Sequence, residues 1–68
     1  MYFQRIRDLR EDADQTQQSM AELLNMQRSV YRRYELGERE IPVWAVIRLA
    51  EYYHVSTDYL LGLSEKRE

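Results

Sequence analysis

Residues 17–37, QQSMAELLNMQRSVYRRYELG, decide the fold, because they have the pattern of two short helices joined by one sharp turn. In the first helix, apolar side chains recur on one side at helical spacing, at Met20, Ala21, Leu23 and Leu24. Asn25 interrupts this pattern, and asparagine tolerates the left-handed backbone of a tight reversal. Gly37 is predicted to end the second helix as a left-handed cap.

The second helix of this segment has two chemically different sides. The side predicted to face inward carries Val30, Tyr31 and Tyr34. The opposite side carries Arg28, Ser29, Arg32 and Arg33. Three of these four side chains are cations, and no acidic residue precedes Glu35 in the helix. We therefore expect a local basic surface on a chain whose net charge is -2.

These motifs carry a family resemblance. The run TQQSMAELLNMQRSVYRRYELGEREIP (residues 16–42) and the ending LAEYYHVSTDYLLG (residues 49–62) resemble the helix-turn-helix domain of Cro and the lambda-type phage repressors, the XRE-type regulators. The likeness extends over residues 5–63. It implies an all-α, compact five-helix DNA-binding domain over residues 1–63, with the helix-turn-helix formed by helices 2 and 3. Residues 64–68 are then a polar C-terminal tail, expected to fray.

The resemblance also assigns roles to residues. It implies base-reading contacts in the major groove from Arg28, Ser29, Arg32 and Arg33, and a phosphate contact from Gln17. Gln27 and Arg39 are further candidates for phosphate contacts. It implies an ion pair between Arg10 and Glu35 that ties the first helix to the third. Three alternatives stay open. At least one of the three arginines of the third helix is expected to contact only phosphate. Arg39, between Glu38 and Glu40, could be a solvated loop charge, and Arg10 could be exposed, as most helix arginines are.

The remaining helices follow from apolar spacing. The first is expected over about residues 3–12, with its inner stripe at Phe3, Ile6, Leu9 and Ala13. The fourth is expected over about residues 43–53, burying Val43, Val46, Leu49, Ala50 and Tyr53. Ser56 should cap a last short helix that Gly62 ends. Thr16 should cap the second helix without a full capping box, because Ser19 stands where Glu or Gln would complete it.

Composition excludes several classes of protein. Sixty-eight residues make one small domain, and the absence of cysteine excludes a disulfide framework and a cysteine zinc site. No apolar run approaches the ~20 residues of a membrane helix and no export signal is evident, so we expect a cytoplasmic protein. With one histidine, no cysteine and no glycine-rich phosphate loop, no catalytic constellation is evident. Neither a metal, a cofactor nor a small-molecule ligand is indicated.

Two interpretations of function remain. The first is a transcriptional regulator, expected to be a repressor, that binds a palindromic operator in double-stranded DNA as a homodimer. The second is a protein-interaction module of the same fold, such as an antitoxin or anti-repressor component. Apolar candidates for the dimer contact are Trp44, Tyr59, Leu61 and Leu63, although each could also be a core or isolated surface residue. Trp44 could instead stack on Arg48.

Overall fold

Five helices follow one another along the chain, and the computed structural model describes all residues from 1 to 68. They are α1 (Gln4–Asp12), α2 (Gln17–Leu23), α3 (Arg28–Leu36), α4 (Val43–Tyr53) and α5 (Thr57–Leu60). There are no strands, so the predicted all-α, five-helix architecture is confirmed. None of these helices is both long enough and apolar enough to cross a membrane.

The core is a single apolar cluster to which all five helices contribute. It contains Ile6, Leu9, Met20, Ala21, Leu24, Tyr31, Ala45, Val46, Leu49, Ala50, Val55 and Leu60. Phe3, Leu23 and Tyr53 pack against its edge. The α2–α3 contact is the most extensive between helices, so the core fixes these two helices relative to each other.

Two residues predicted to be buried are exposed. Ala13 is exposed because α1 ends at Asp12, which leaves Ala13 as the C-cap in the turn rather than on the inner stripe. Val43 is 74% exposed because it is the first residue of α4 and shares the side of the helix that carries exposed Ile47, four residues later. Ala45 takes the buried place instead, with no exposed surface.

The start of α2 is fixed by a full capping box, although the sequence predicted an incomplete one. The Ser19 amide donates to Thr16 Oγ1 over 3.0 Å, and the Thr16 amide donates to Ser19 Oγ over 3.1 Å. The expectation that Ser19 could not close the box is wrong, because a hydroxyl can accept one bond while donating another, here to Gln15 Oε1 at 2.9 Å. Both orphan amides at this helix start are therefore satisfied.

The C-terminal tail, residues 64–68, lies against the body of the protein instead of fraying. The Arg5 guanidinium donates to the carbonyl oxygens of Tyr59 at 2.8 Å and Ser64 at 2.6 Å. It also stacks on the Tyr59 ring at 4.1 Å, and the Arg67 guanidinium lies 5.3 Å from the same ring. The Ser56 amide donates to the Arg67 carbonyl oxygen. Arg5 therefore connects the start of α1 to α5 and to the tail.

Candidate nucleic-acid interface

A four-residue turn between α2 and α3 sets the direction of α3. The backbone φ of Asn25 is 55°, which confirms the left-handed conformation predicted for this residue. The Met26 amide donates to the Ala21 carbonyl oxygen over 2.9 Å, which closes the reversal. Ala21 has no exposed surface, and its small side chain lets the two helices approach closely. The turn and this contact hold α3 rigidly on α2.

The end of α3 depends on Gly37. Its φ of 78 is left-handed, as predicted, and the Glu38 amide returns to the Arg33 carbonyl oxygen over 2.9 Å. A Cβ atom at this position would lie 2.9 Å from the Tyr2 Cα atom, which is closer than any real contact. Gly37 is thus required both by its backbone conformation and by the close approach of the N-terminal segment.

The outward side of α3 is a basic surface. Arg28, Ser29, Arg32 and Arg33 are all exposed, whereas Tyr31 has no exposed surface and Val30 and Tyr34 are half-buried. At 3.6 residues per turn the four exposed side chains fall within an arc of roughly 140°. None of the three arginines takes part in an ion pair within the chain. We call these four residues the α3 basic face.

An apolar residue that the sequence patterns did not single out lies beside the α3 basic face. Leu36 is 41% exposed and lies four residues after Arg32, within the same arc. The four-residue spacing between Arg32 and Leu36 was the sequence signal that could have placed Leu36 on this side of the helix. The face therefore presents an apolar side chain beside its cations.

A buried ion pair lies beneath this face. Arg10 Nε and Nη2 donate to the two Glu35 carboxylate oxygens, each over 2.9 Å, and the two side chains are 14% and 2% exposed. Arg10 Nη1 also donates to the Gln15 carbonyl oxygen over 3.0 Å. The pair joins α1 to α3, so Arg10 is not merely a solvated surface residue.

The pKa values around this pair reflect its enclosure. Burial by itself would raise the pKa of Glu35, but the hydrogen bonds from Arg10 and Gln17, with the Tyr31 hydroxyl nearby, lower it below the ordinary glutamate value. The hydrogen bond to Glu35 raises the pKa of Arg10. Burial raises the pKa of Tyr31 and of Tyr53. Glu35 therefore stays ionised, and its charge is directed inward, away from the arginines of the α3 basic face.

The three residues implied as phosphate contacts lie in different settings. Gln17, at the first position of α2, donates from Nε2 to Glu35 Oε1 over 3.3 Å, so its side chain is attached to the buried pair. Gln27 is the exposed N-cap of α3 and makes no capping bond with its side chain. Arg39 is exposed in the loop after α3, between two exposed glutamates.

A shallow polar cleft connects the starts of α2 and α3. It is lined by Arg10, Gln15, Thr16, Gln17, Gln18 and Arg28. Thr16 and Gln18 were not among the predicted contact residues, although both neighbour Gln17 in the sequence. Since every lining residue is polar and two are arginines, the cleft suits an anion at the edge of the α3 basic face.

Comparison with known proteins identifies this arrangement. A family model described as a helix-turn-helix domain matches residues 4–61, which include all five helices. The chain belongs to this helix-turn-helix family. The predicted resemblance to XRE-type helix-turn-helix regulators is thereby confirmed.

Relatives of this helix-turn-helix domain come from Bacillus subtilis strain 168. The uncharacterized HTH-type transcriptional regulator YobD is 38% identical over 65 residues, which are 96% of this chain and 58% of YobD. The HTH-type transcriptional regulator ImmR is 38% identical over 61 residues, 90% of this chain and 48% of ImmR. The SPbeta prophage-derived regulator YonR is 34% identical over 61 residues, 90% of this chain and 56% of YonR. The chain spans about half the length of these curated relatives. No solved structure matches this chain with significance.

The four apolar dimer candidates of this helix-turn-helix domain do not share one environment. Trp44 is 54% exposed and Leu63 is 74% exposed. Tyr59 is half-buried beneath Arg5, and Leu61 packs against the core. Trp44 has no guanidinium stacked on it, since both cation–π contacts of the chain involve Tyr59. Only two of the four candidates therefore present large apolar surface.

Proposed function

We propose that this chain is a sequence-specific DNA-binding transcriptional regulator that places α3 in the major groove and represses by occupying a palindromic operator as a homodimer. The observation that carries the proposal is the α3 basic face, with three exposed arginines that have no partner within the chain. Arginine in this position suits both phosphate and the O6 and N7 acceptors of guanine. The names of YobD and ImmR, both transcriptional regulators, support the same function.

The negative net charge does not contradict this function, because the distribution of charge matters at the interface. The acid nearest to the three arginines in the sequence is Glu35, and it is 2% exposed and bound to Arg10. Its field is therefore neutralised inside the fold. The acidic remainder lowers non-specific attraction to phosphate, so specific binding depends more strongly on the α3 contacts and on a second subunit.

Within the α3 basic face, Arg28 and Arg33 are the proposed readers of guanine, each contributing ~1–3 kcal/mol of discrimination. Ser29 and Arg32 complete the base-facing set. Gln17, Gln27 and Arg39 bind phosphate, and Gln17 does so from a side chain already oriented by its bond to Glu35. Phosphate contacts fix the position of the protein on the duplex, whereas base contacts select the sequence.

The test is a gel shift with fragmented genomic DNA at low and moderate salt, with and without heparin. We expect retarded complexes that survive heparin for a minority of fragments. Arg28→Ala and Arg33→Ala should change which sequences are enriched in repeated selection, whereas Gln17→Ala should weaken all sequences about equally. Arg7→Ala is the matched control, because it removes an exposed cation of α1 outside the α3 basic face.

Two outcomes would overturn the proposal. The first is no retention of DNA even at low salt, which would favour the protein-interaction module. The second is unchanged sequence preference in both arginine variants, which would remove their base-reading role.

A further inference from the structure

Helix α4 is more apolar than a surface helix needs to be. Its sequence VWAVIRLAEYY contains only two charged residues. The side that meets the core carries Ala45, Val46, Leu49 and Ala50, all buried. A surface helix normally carries polar residues on the opposite side, and a helix that is apolar nearly all round is normally covered on both sides. In the single chain, nothing covers the outward side of α4.

The outward side of α4 contains four of the eight exposed large hydrophobic residues of the protein. They are Val43, Trp44, Ile47 and Tyr52, with exposed fractions of 74%, 54%, 46% and 41%. At ~150–250 Å² for an aromatic side chain, and less for the two aliphatic ones, they expose roughly 400 Å² together. This equals the largest apolar patch of many monomers, which is often a functional surface.

Two charges of opposite sign lie among these apolar residues. Arg48 and Glu51 are both exposed and three residues apart, so they share the outward side of the helix. Neither takes part in any of the three ion pairs of the chain. We call the four apolar residues together with Arg48 and Glu51 the α4 face.

We propose that the α4 face is the surface through which two copies of this chain associate, with the two α4 helices antiparallel about a two-fold axis. This inference rests on the proposed function, which requires a homodimer, and identifies its interface. In an isologous contact each surface must complement itself, so a cation and an anion on the same patch satisfy each other across the axis. A patch with a single sign of charge would repel its own copy.

The register of the pairing follows from the spacing of the residues. An axis passing midway between Arg48 and Glu51 sets Arg48 of one copy opposite Glu51 of the other, and the reverse. The same axis sets Ile47 of one copy level with Tyr52 of the other along the helices, on the two flanks of the charged pairs, because both pairs are symmetric about the same point on the helix. One arrangement therefore pairs both charges and buries apolar groups beside them.

The area of the α4 face predicts a weak dimer. If both copies bury it, the contact removes roughly 800 Å² from solvent, against the ~1,200–2,000 Å² of a stable interface. Association in solution should therefore need high protein concentration, and adjacent half-sites on DNA should supply the remaining stabilisation by holding two copies together.

A charge exchange tests the pairing. Sedimentation equilibrium from ~10 µM to ~1 mM at low salt should show wild-type protein moving from one chain toward two. Arg48→Glu and Glu51→Arg should each raise the dissociation constant about tenfold or more, because each creates two like-charge contacts. The double variant should recover affinity within about threefold of wild type, since the attraction is restored with its sign reversed.

The apolar part of the face is tested by Ile47→Ala, expected to weaken association about tenfold. Leu36→Ala is the matched control, because Leu36 has similar size and exposure but lies on α3; it should leave the dissociation constant within about twofold of wild type. Three outcomes would each overturn the proposal: a wild-type protein that stays monomeric to ~1 mM, a folded double variant that recovers no affinity, or equal effects of the two alanine variants.

DNA binding is measured separately, so that the two proposals fail independently. Monomeric α4 variants should still bind a single half-site as wild type does, because the α4 face lies outside the α3 basic face. If the charge exchange behaves as expected and neither wild type nor any variant binds DNA, the interface stands and the proposed function is wrong.

Discussion

The substitution Glu35→Ala should destabilise the fold severely. Glu35 and Arg10 are 2% and 14% exposed and share two hydrogen bonds of 2.9 Å. Removing the carboxylate leaves the Arg10 guanidinium enclosed, with only the Gln15 carbonyl oxygen at 3.0 Å. A stranded buried charge costs ~3–5 kcal/mol, whereas breaking an exposed pair costs ~0–1 kcal/mol. A domain of this length has only ~3–10 kcal/mol in total, so the loss is a large fraction of its stability.

Thermal unfolding followed by circular dichroism measures this effect. At ~4–8 °C per kcal/mol for a domain of this size, Tm should fall by ~12 °C or more. The matched control is Glu11→Ala, which breaks the Arg7–Glu11 pair, also between an arginine and a glutamate but 53% and 50% exposed. Its Tm should change by only a few degrees. A Tm for Glu35→Ala within two degrees of wild type, or equal to that of the Glu11 variant, would refute the reasoning.

Three further predictions concern pH, glycine and the tail. Because the pKa of Glu35 is lowered in the folded protein, the stability contributed by its ionised form should be complete above pH ~4.3 and decline as the pH falls through the folded pKa. Urea unfolding should show this decline in wild type and not in Glu35→Ala. Gly37→Ala should lower Tm more than Gly62→Ala, because both have φ 78 but only the first meets Tyr2; equal losses would contradict the close contact. Arg5→Ala should speed hydrogen exchange in the C-terminal tail and cost ~1–3 kcal/mol, and unchanged tail exchange would show that Arg5 does not hold it.

Local patterns in the sequence predicted the elements that local physics controls. Apolar periodicity located the helices within a few residues, and the left-handed requirements of Asn25 and Gly37 located the two reversals around α3. Helical periodicity also placed Tyr31 on the buried side of α3 and the three arginines on its exposed side. These features need only neighbours within one or two helical turns, which is why one sequence sufficed.

The errors arose where the outcome depends on distant residues or on exact helix ends. Helical spacing lets Val43 share a side with buried Val46 or with exposed Ile47, and periodicity alone does not decide between them. The tail is held by Arg5, 59 residues from Ser64, and no local pattern encodes that bond. The same contacts cover Tyr59, so it is a weaker dimer candidate than its type suggested. At Ser19 the prediction relied on the general preference for Glu or Gln in a capping box, but the serine hydroxyl also accepts the bond from the Thr16 amide.

Hydroxyl-radical footprinting on a selected binding site tests the central claim most directly. If two copies place their α3 basic faces in successive major grooves, protection should fall on an inverted repeat whose half-site centres are ~10 base pairs, or ~34 Å, apart, with two chains bound at saturation. Protection of a single half-site by one chain, or uniform protection without a preferred sequence, would contradict the account.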